Sequence, residues 1–341
     1  MTPAADALLE GLFDYAGLFP PASLDLDAST AAYARYRTGP DAALLGRFIV
    51  PAAALAPAAG GAAGDLDDGD SDEPERLDDW ADRFTGDPWR FSVLGLAPAD
   101  GEEWSQMALR TLDAARAFDA RHNGQTACDR FELRLPAVLA ADPDALAATL
   151  GDLDEAYRAG AGTGPRAALE VPFLKAPDAV APAADAVARA NGRAGRPAFA
   201  LKLRCGGVTP DLVPSVEALA AALAEALRAG VPFKATAGLH HPLPNHDDAV
   251  GARMHGFLGV FGGAVLARLH GLGPDDWAEI LDTDDASDWS AADGLRWRSL
   301  RASAAETADA RRQFALSFGT CSFDEPRDDL RQIGWLAPAD R

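Results

Sequence analysis

Lysine is almost missing from this sequence: of 31 basic residues in 341, three are lysine (Lys175, Lys202, Lys234) and the other 28 are arginine. Cysteine is as scarce. Cys128, Cys205 and Cys321 are scattered, odd in number and form no CxxC, which excludes a disulfide framework and points to a reducing cytoplasm. No run approaches the roughly 20 uninterrupted apolar residues of a membrane helix. The N-terminus lacks the basic region and apolar core of a signal peptide. Positive charge is in deficit: 52 acidic residues leave a net charge of -21 and a pI of about 4.5. Such a surface repels nucleic acid and anionic membranes, so neither is expected as a partner. No GxGxxG follows an early strand and no HExxH occurs.

What remains is a chain 48% hydrophobic, ample for a large core. An acidic surface nearly free of lysine suits the protein of a salt-loving microbe, where salt screens the self-repulsion; an acidic, GC-rich mesophile is the alternative. Either bias makes the surviving lysines informative. Arginine cannot be deprotonated or form an imine, and lysine can do both.

Short apolar runs alternate with Ala/Leu/acid-rich stretches. Strands are expected at 12–19 (LFDYAGLF), 47–51 (RFIVP), 90–96 (RFSVLGL), 130–136 (RFELRLP), 167–173 (AALEVPF), 198–205 (AFALKLRC), 232–237 (PFKATA) and 314–321 (FALSFGTC). Helices are expected at 29–36, 102–120, 144–159, 178–190 and 215–229. Eight such units predict a (β/α)8 TIM-type barrel over 1–341, a fold that needs about 250 residues. Residues 53–77, Gly/Ala-rich and then acidic, read as a disordered insertion, and 247–293 as a helical elaboration before the last strand.

Strand side chains alternate between faces. In RFELRLP, Phe131, Leu133 and Leu135 oppose Glu132 and Arg134. In AALEVPF, Leu169, Val171 and Phe173 oppose Ala168 and Glu170. In AFALKLRC, Phe199, Leu201 and Leu203 oppose Ala200, Lys202 and Arg204, and Lys234 shares a face with Thr236 in PFKATA. The apolar faces must pack under helices, so Glu132, Arg134, Glu170, Lys202, Arg204 and Lys234 point into the lumen. Barrel lumens are normally apolar, and ionised groups are costly to bury unless paired. Either these charges form a polar active site at the C-terminal mouth or they form a ring of buried salt bridges. Lys202 and Lys234 lie on consecutive strands about 4.8 Å apart. Two neighbouring ammoniums lower each other's pKa, and a lysine so lowered is a nucleophile toward carbonyls. Arg204 would hold a substrate carboxylate or phosphate.

The stretch KLRCGGVTPDLVPSVEALAAALAEALRAGVPFKATAGLHH resembles the segment of deoxyribose-phosphate aldolases that carries lysines on strands six and seven. The resemblance covers about 40 residues and implies Lys202 as the imine lysine and Lys234 as its partner. Ala237-Gly238-Leu239-His240-His241 stands where that family grips phosphate with Gly-Gly, and that family's acidic partner on an earlier strand has no clear match here. The landmarks FDYAGLFPPA, LKLRCGG, PFKATAGLHHPL, MHGFLGVF and FGTCSFDEP resemble an uncharacterised prokaryotic family, which implies no activity.

His240, His241 and His246 cluster after the seventh strand, where catalytic loops are expected. They would move protons, bind a metal with Glu132 or Glu170, or cap a helix starting near Asn245 or Asp247. His255 reads as a core histidine or a ligand, and His122 and His270 as surface residues at helix ends. Cys205 and Cys321 are small buried residues or, with His240 as base, nucleophiles. Asp14 and Tyr15 would face the mouth or shape a Pro-locked turn. Gly206, Gly207 and Gly238 would let backbone N–H groups approach an anion.

The leading expectation is a lyase of class I aldolase type acting on a small anionic substrate without a cofactor. Lys202 forms the imine, Lys234 tunes it, His240 or Glu170 moves protons, and Arg204, Glu132, Arg134, His241, Asp14 and Tyr15 line the substrate site. A second is a metal-dependent isomerase, epimerase or hydrolase, with a divalent metal on Glu132, Glu170 and His240 and Lys202 or Lys234 as acid/base. A third is a non-catalytic binding barrel. The sequence leaves the substrate open, and a homo-oligomer as well.

Overall fold

The computed structural model describes residues 1–57, 75–158 and 166–338. Eight parallel strands close a barrel: β1 Phe13–Tyr15, β2 Leu45–Pro51, β3 Trp89–Leu94, β4 Thr126–Arg134, β5 Arg166–Glu170, β6 Phe199–Arg204, β7 Phe233–Thr236 and β8 Ala315–Thr320. Each strand pairs with its neighbours in sequence, and β1 pairs with both β2 and β8. This is the (β/α)8 barrel that the alternating pattern predicts. Among the described residues no helix is long and apolar enough to cross a membrane.

The helices lie where apolar residues recur at helical spacing. The helix Val216–Arg228 starts at Ser215, whose side chain accepts from the Ala218 N–H, and turns Leu219, Ala220 and Leu223 toward the sheet. The outward strand side chains meet such faces: Phe131, Leu133, Phe199, Leu201, Leu203 and Phe233 are all fully buried. The core is therefore the ring between barrel and helices, and the lumen is left for other residue types.

Three expectations about organisation change. Residues 58–74, the heart of the segment read as an insertion, lie outside the described residues, and its flanks are ordered into tight turns at Ala52–Leu55 and Leu77–Arg83. The first strand is only Phe13–Tyr15, not 12–19. The segment 247–293 is not purely helical. It holds the helices Gly263–His270 and Pro274–Asp282, but Asn245–Asp247 pairs with Ala252–Met254 as a small antiparallel sheet, so no helix starts at Asn245. Trp289–Ser290 joins Leu295–Trp297 and Leu300–Ala302 in a second small sheet. His122 does sit at a helix end, but it is buried, between Phe84 and Phe118, and bonds Asp78.

Candidate active site

Register sets the charged residues in rows across the lumen. Arg134, Glu170, Lys202 and Lys234 are successive Cα partners on β4, β5, β6 and β7. Two residues earlier, Glu132 is in register with Ala168, and Ala168 with Ala200. Those alanines carry no side chain beyond Cβ, so the Glu132 carboxylate can cross the lumen above them. It touches both lysines, at 2.9 Å from Lys202 Nζ through Oε2 and at 3.1 Å from Lys234 Nζ through Oε1.

Each lysine has a second carboxylate. Lys202 Nζ lies 2.9 Å from Glu170 Oε2, and Lys234 donates to Asp14 Oδ2 from across the barrel seam. Asp14 is itself tied down: Arg47 N–H donates to Oδ1 and Ser317 Oγ to Oδ2, both at 2.7 Å. Gly46 makes this seat possible, because a Cβ there would fall 2.2 Å from Asp14 Oδ1. Ser92 Oγ donates to Glu132 Oε1 at 2.6 Å. At the outer end, Arg204 Nη2 donates to Glu170 Oε1 at 3.1 Å, and Arg134 Nε stands 3.9 Å from the same oxygen. The lumen thus carries an alternating chain, Asp14–Lys234–Glu132–Lys202–Glu170–Arg204, buried at one end and open at the other. Lys234 is fully enclosed, the Lys202 side chain is 7% exposed, and that of Arg204 is 26% exposed.

The electrostatics follow from this alternation. Burial alone would raise the carboxyl pKa values, but the cations win. Lys234 and Lys202, with the Ser92 hydroxyl, hold Glu132 far below the usual carboxylate range. Lys202 and Arg204 bring Glu170 down to about 2, and Lys234, Arg47 and Arg130 lower Asp14. Burial pulls Lys202 down, yet Glu132 and Glu170 outweigh it and raise its ammonium above the ordinary lysine value. This corrects the expectation that Lys234 depresses Lys202: the interposed Glu132 separates the amines electrically.

Other expected site residues fall elsewhere. Tyr15 is not at the mouth; it packs outside the barrel against Tyr33, Tyr36 and Phe48, because the next residue along β1 from an inward Asp14 must point outward. His240 Nδ1 pairs with Glu325 at 3.1 Å and lies 4.0 Å from Cys321 Sγ; His241 Nδ1 bonds Asp329 at 2.5 Å. Both histidines therefore brace the β7 loop on the helix Asp324–Gln332, and their described partners do not include either lysine. His246 is on the small sheet, and His255 is a core histidine whose Nε2 meets the Pro214 carbonyl at 2.9 Å. Burial pushes the Cys205 thiol up to about 12 and raises Cys321, so both behave as small core residues. Gly206 and Gly238 serve packing: a Cβ on either would lie 2.7 Å from the Cα of the other. Among the described residues, no three His, Cys, Asp or Glu side chains form a cluster able to hold a metal; Glu132, Glu170 and His240 do not converge.

Sequence reasoning missed Ser92 and Ser317. Both are small hydroxyls in largely apolar strands, and the two-residue alternation that found Glu132 marks Ser92 and Ser317 by the same logic. No family model, curated protein or solved structure matches the chain.

Proposed function

We propose that the mouth is a lyase site of class I aldolase type, working on a small anionic carbonyl compound with Lys202 as the amine that forms the imine. One observation carries this reading: Lys202 stands at the boundary between the sealed and open parts of the charge chain, with a carboxylate on each side. Of the two lumen lysines it is the less enclosed, with 7% of its side chain exposed where Lys234 has none. Glu132, touching both amines, fills the role of acidic partner that the aldolase resemblance calls for. Glu170 is the nearer proton carrier to the opening, and Arg204 with Arg134 supplies positive charge for an anionic group. The location agrees with where barrel enzymes keep their chemistry.

The test is reductive trapping. Protein incubated with a panel of small aldehydes, ketones and oxo acids is treated with borohydride, digested and mapped by mass. The expected result is an adduct on Lys202 in the native chain and none in Lys202→Arg, which keeps the charge but cannot form an imine. An unmodified Lys202 across the whole panel would overturn the proposal. A second reading, a binding barrel without chemistry, is favoured by the pairing of both Lys202 and Lys234 with two carboxylates each and predicts that unmodified outcome.

A further inference from the structure

The outer end of the charge chain has a spacing that selects among anionic substrates. The two oxygens of Glu170 are held by different cations: Oε2 lies 2.9 Å from Lys202 Nζ, and Oε1 accepts from Arg204 Nη2 at 3.1 Å with Arg134 Nε 3.9 Å away. Amine and guanidinium therefore stand one carboxyl group apart. That spacing is built in, because Lys202 and Arg204 are two residues apart on one strand and face the same way. The second arm of Arg204 is turned to the Gly206 carbonyl, with Nη1 3.4 Å from its oxygen, so the planar fork has a preferred orientation.

We propose that the substrate is a 2-oxo acid, and that its carboxylate takes over the place on Arg204 that Glu170 holds. This rests on the reading of Lys202 as an imine-forming amine. In a 2-oxo acid the carbonyl carbon is bonded directly to the carboxylate carbon. Once that carbonyl carbon is at Lys202 Nζ, the carboxylate oxygens fall about one carboxyl width further out, where Arg204 waits. A phosphate ester of a hydroxy ketone or hydroxy aldehyde puts several more bonds between carbonyl and anion, and overshoots. A planar, bidentate fork also suits a carboxylate.

The exchange makes Glu170 useful. When Arg204 turns to the substrate carboxylate, Glu170 loses a cation that stabilises its ionised form, and it can take one proton from the Lys202 ammonium. The freed lone pair attacks the carbonyl carbon; the C–N bond forms as the C–O π bond breaks, giving a carbinolamine after one nitrogen proton passes to that oxygen. Glu170 then returns its proton to the hydroxyl, the C–O bond breaks and water leaves. Of the three ammonium hydrogens, two depart in water and one stays on the iminium nitrogen.

The experiment compares borohydride trapping by pyruvate, by acetone (the same skeleton with methyl in place of carboxylate) and by glyceraldehyde 3-phosphate, in the native chain and in Arg204→Gln. Pyruvate is expected to modify Lys202 at the lowest concentration, and Arg204→Gln to raise the ratio of the pyruvate concentration needed to the acetone concentration needed about 30-fold, a ratio that cancels any change in the reactivity of the amine itself. Equal pyruvate trapping in Arg204→Gln overturns the inference, as does a native chain that prefers acetone or the phosphorylated aldehyde; in these cases the imine chemistry still stands. No adduct from any carbonyl overturns the imine reading and this inference together. If Arg204→Gln traps neither pyruvate nor acetone, Arg204→Lys decides: a loss confined to pyruvate supports the proposal, and a parallel loss of both overturns it.

Discussion

The two ends of the barrel bury cations in opposite ways. At the closed, N-terminal end Arg311 is held by neutral acceptors alone among its described contacts: its guanidinium donates to the carbonyls of Leu8, Glu10, Ala315 and Leu316. It ties the segment before β1 to the start of β8, beside the ring of Phe261. Burial lowers it to about 10, so it still keeps its proton at neutral pH. At the open end Lys202 is held by carboxylates, in a chain that runs out to the partly exposed Arg204. Carbonyls fix a cation without giving it anywhere to send a proton. Carboxylates are proton acceptors, and the chain they build leads to solvent. One end anchors its cation on backbone carbonyls and the other strings its cations on carboxylates, although both groups of cations are buried.

The largest effect that sharpens this contrast belongs to the anchor. Arg311→Ala strands three buried carbonyls and a part-buried one and is expected to cost on the order of 4 kcal/mol in a denaturant titration, with the charge chain otherwise unchanged. A loss below about 1 kcal/mol would break the comparison. Next comes Glu132→Gln, which removes the carboxylate shared by two enclosed ammoniums; about 3 kcal/mol is expected at pH 7. The sign of its pH dependence follows from the shifts. Glu132 and Glu170 have folded pKa values below the unfolded ones, so their stabilisation is full above the ordinary carboxylate range and is lost as pH falls, through about 2 for Glu170. Lys202 is raised, so its share is full below the ordinary lysine value and is lost as pH climbs past its higher folded one. The gap between native chain and Glu132→Gln must therefore narrow at both extremes.

A third effect is kinetic. Because Lys202 is held protonated, trapping by acetone is expected to climb about tenfold per pH unit from 7 to 10; a plateau below pH 8 would show that the carboxylates do not govern this amine. The smallest is Lys175→Arg. Lys175 is exposed after β5, and a change within about 0.5 kcal/mol with unaltered trapping is expected.

Much of the mouth was legible because strands obey a period of two. That rule put Glu132, Arg134, Glu170, Lys202, Arg204 and Lys234 in the lumen from one-dimensional patterns alone; five are there, and Arg134, the last residue of β4, leaves 77% of its side chain exposed. The same rule, applied strictly to Phe13-Asp14-Tyr15, would have sent Tyr15 outward; grouping it with Asp14 ignored the alternation. His240 and His241 lay beyond any period. They sit in a loop, and loop side chains go to whichever neighbour offers a partner, here Glu325 and Asp329 some 85 and 88 residues later.

What the sequence determined by itself is the barrel, the inward set of charges and the scarcity of lysine that draws the eye to two of them, because each depends on local periodicity or on composition. What only the tertiary structure decided is who pairs with whom. Glu132 falls between the amines of Lys202 and Lys234 because Ala168 and Ala200 leave it room and because closure of the barrel brings Asp14 beside Lys234. Registry between distant strands, and the side-chain volumes that intervene, are properties of the closed ring and of no single segment.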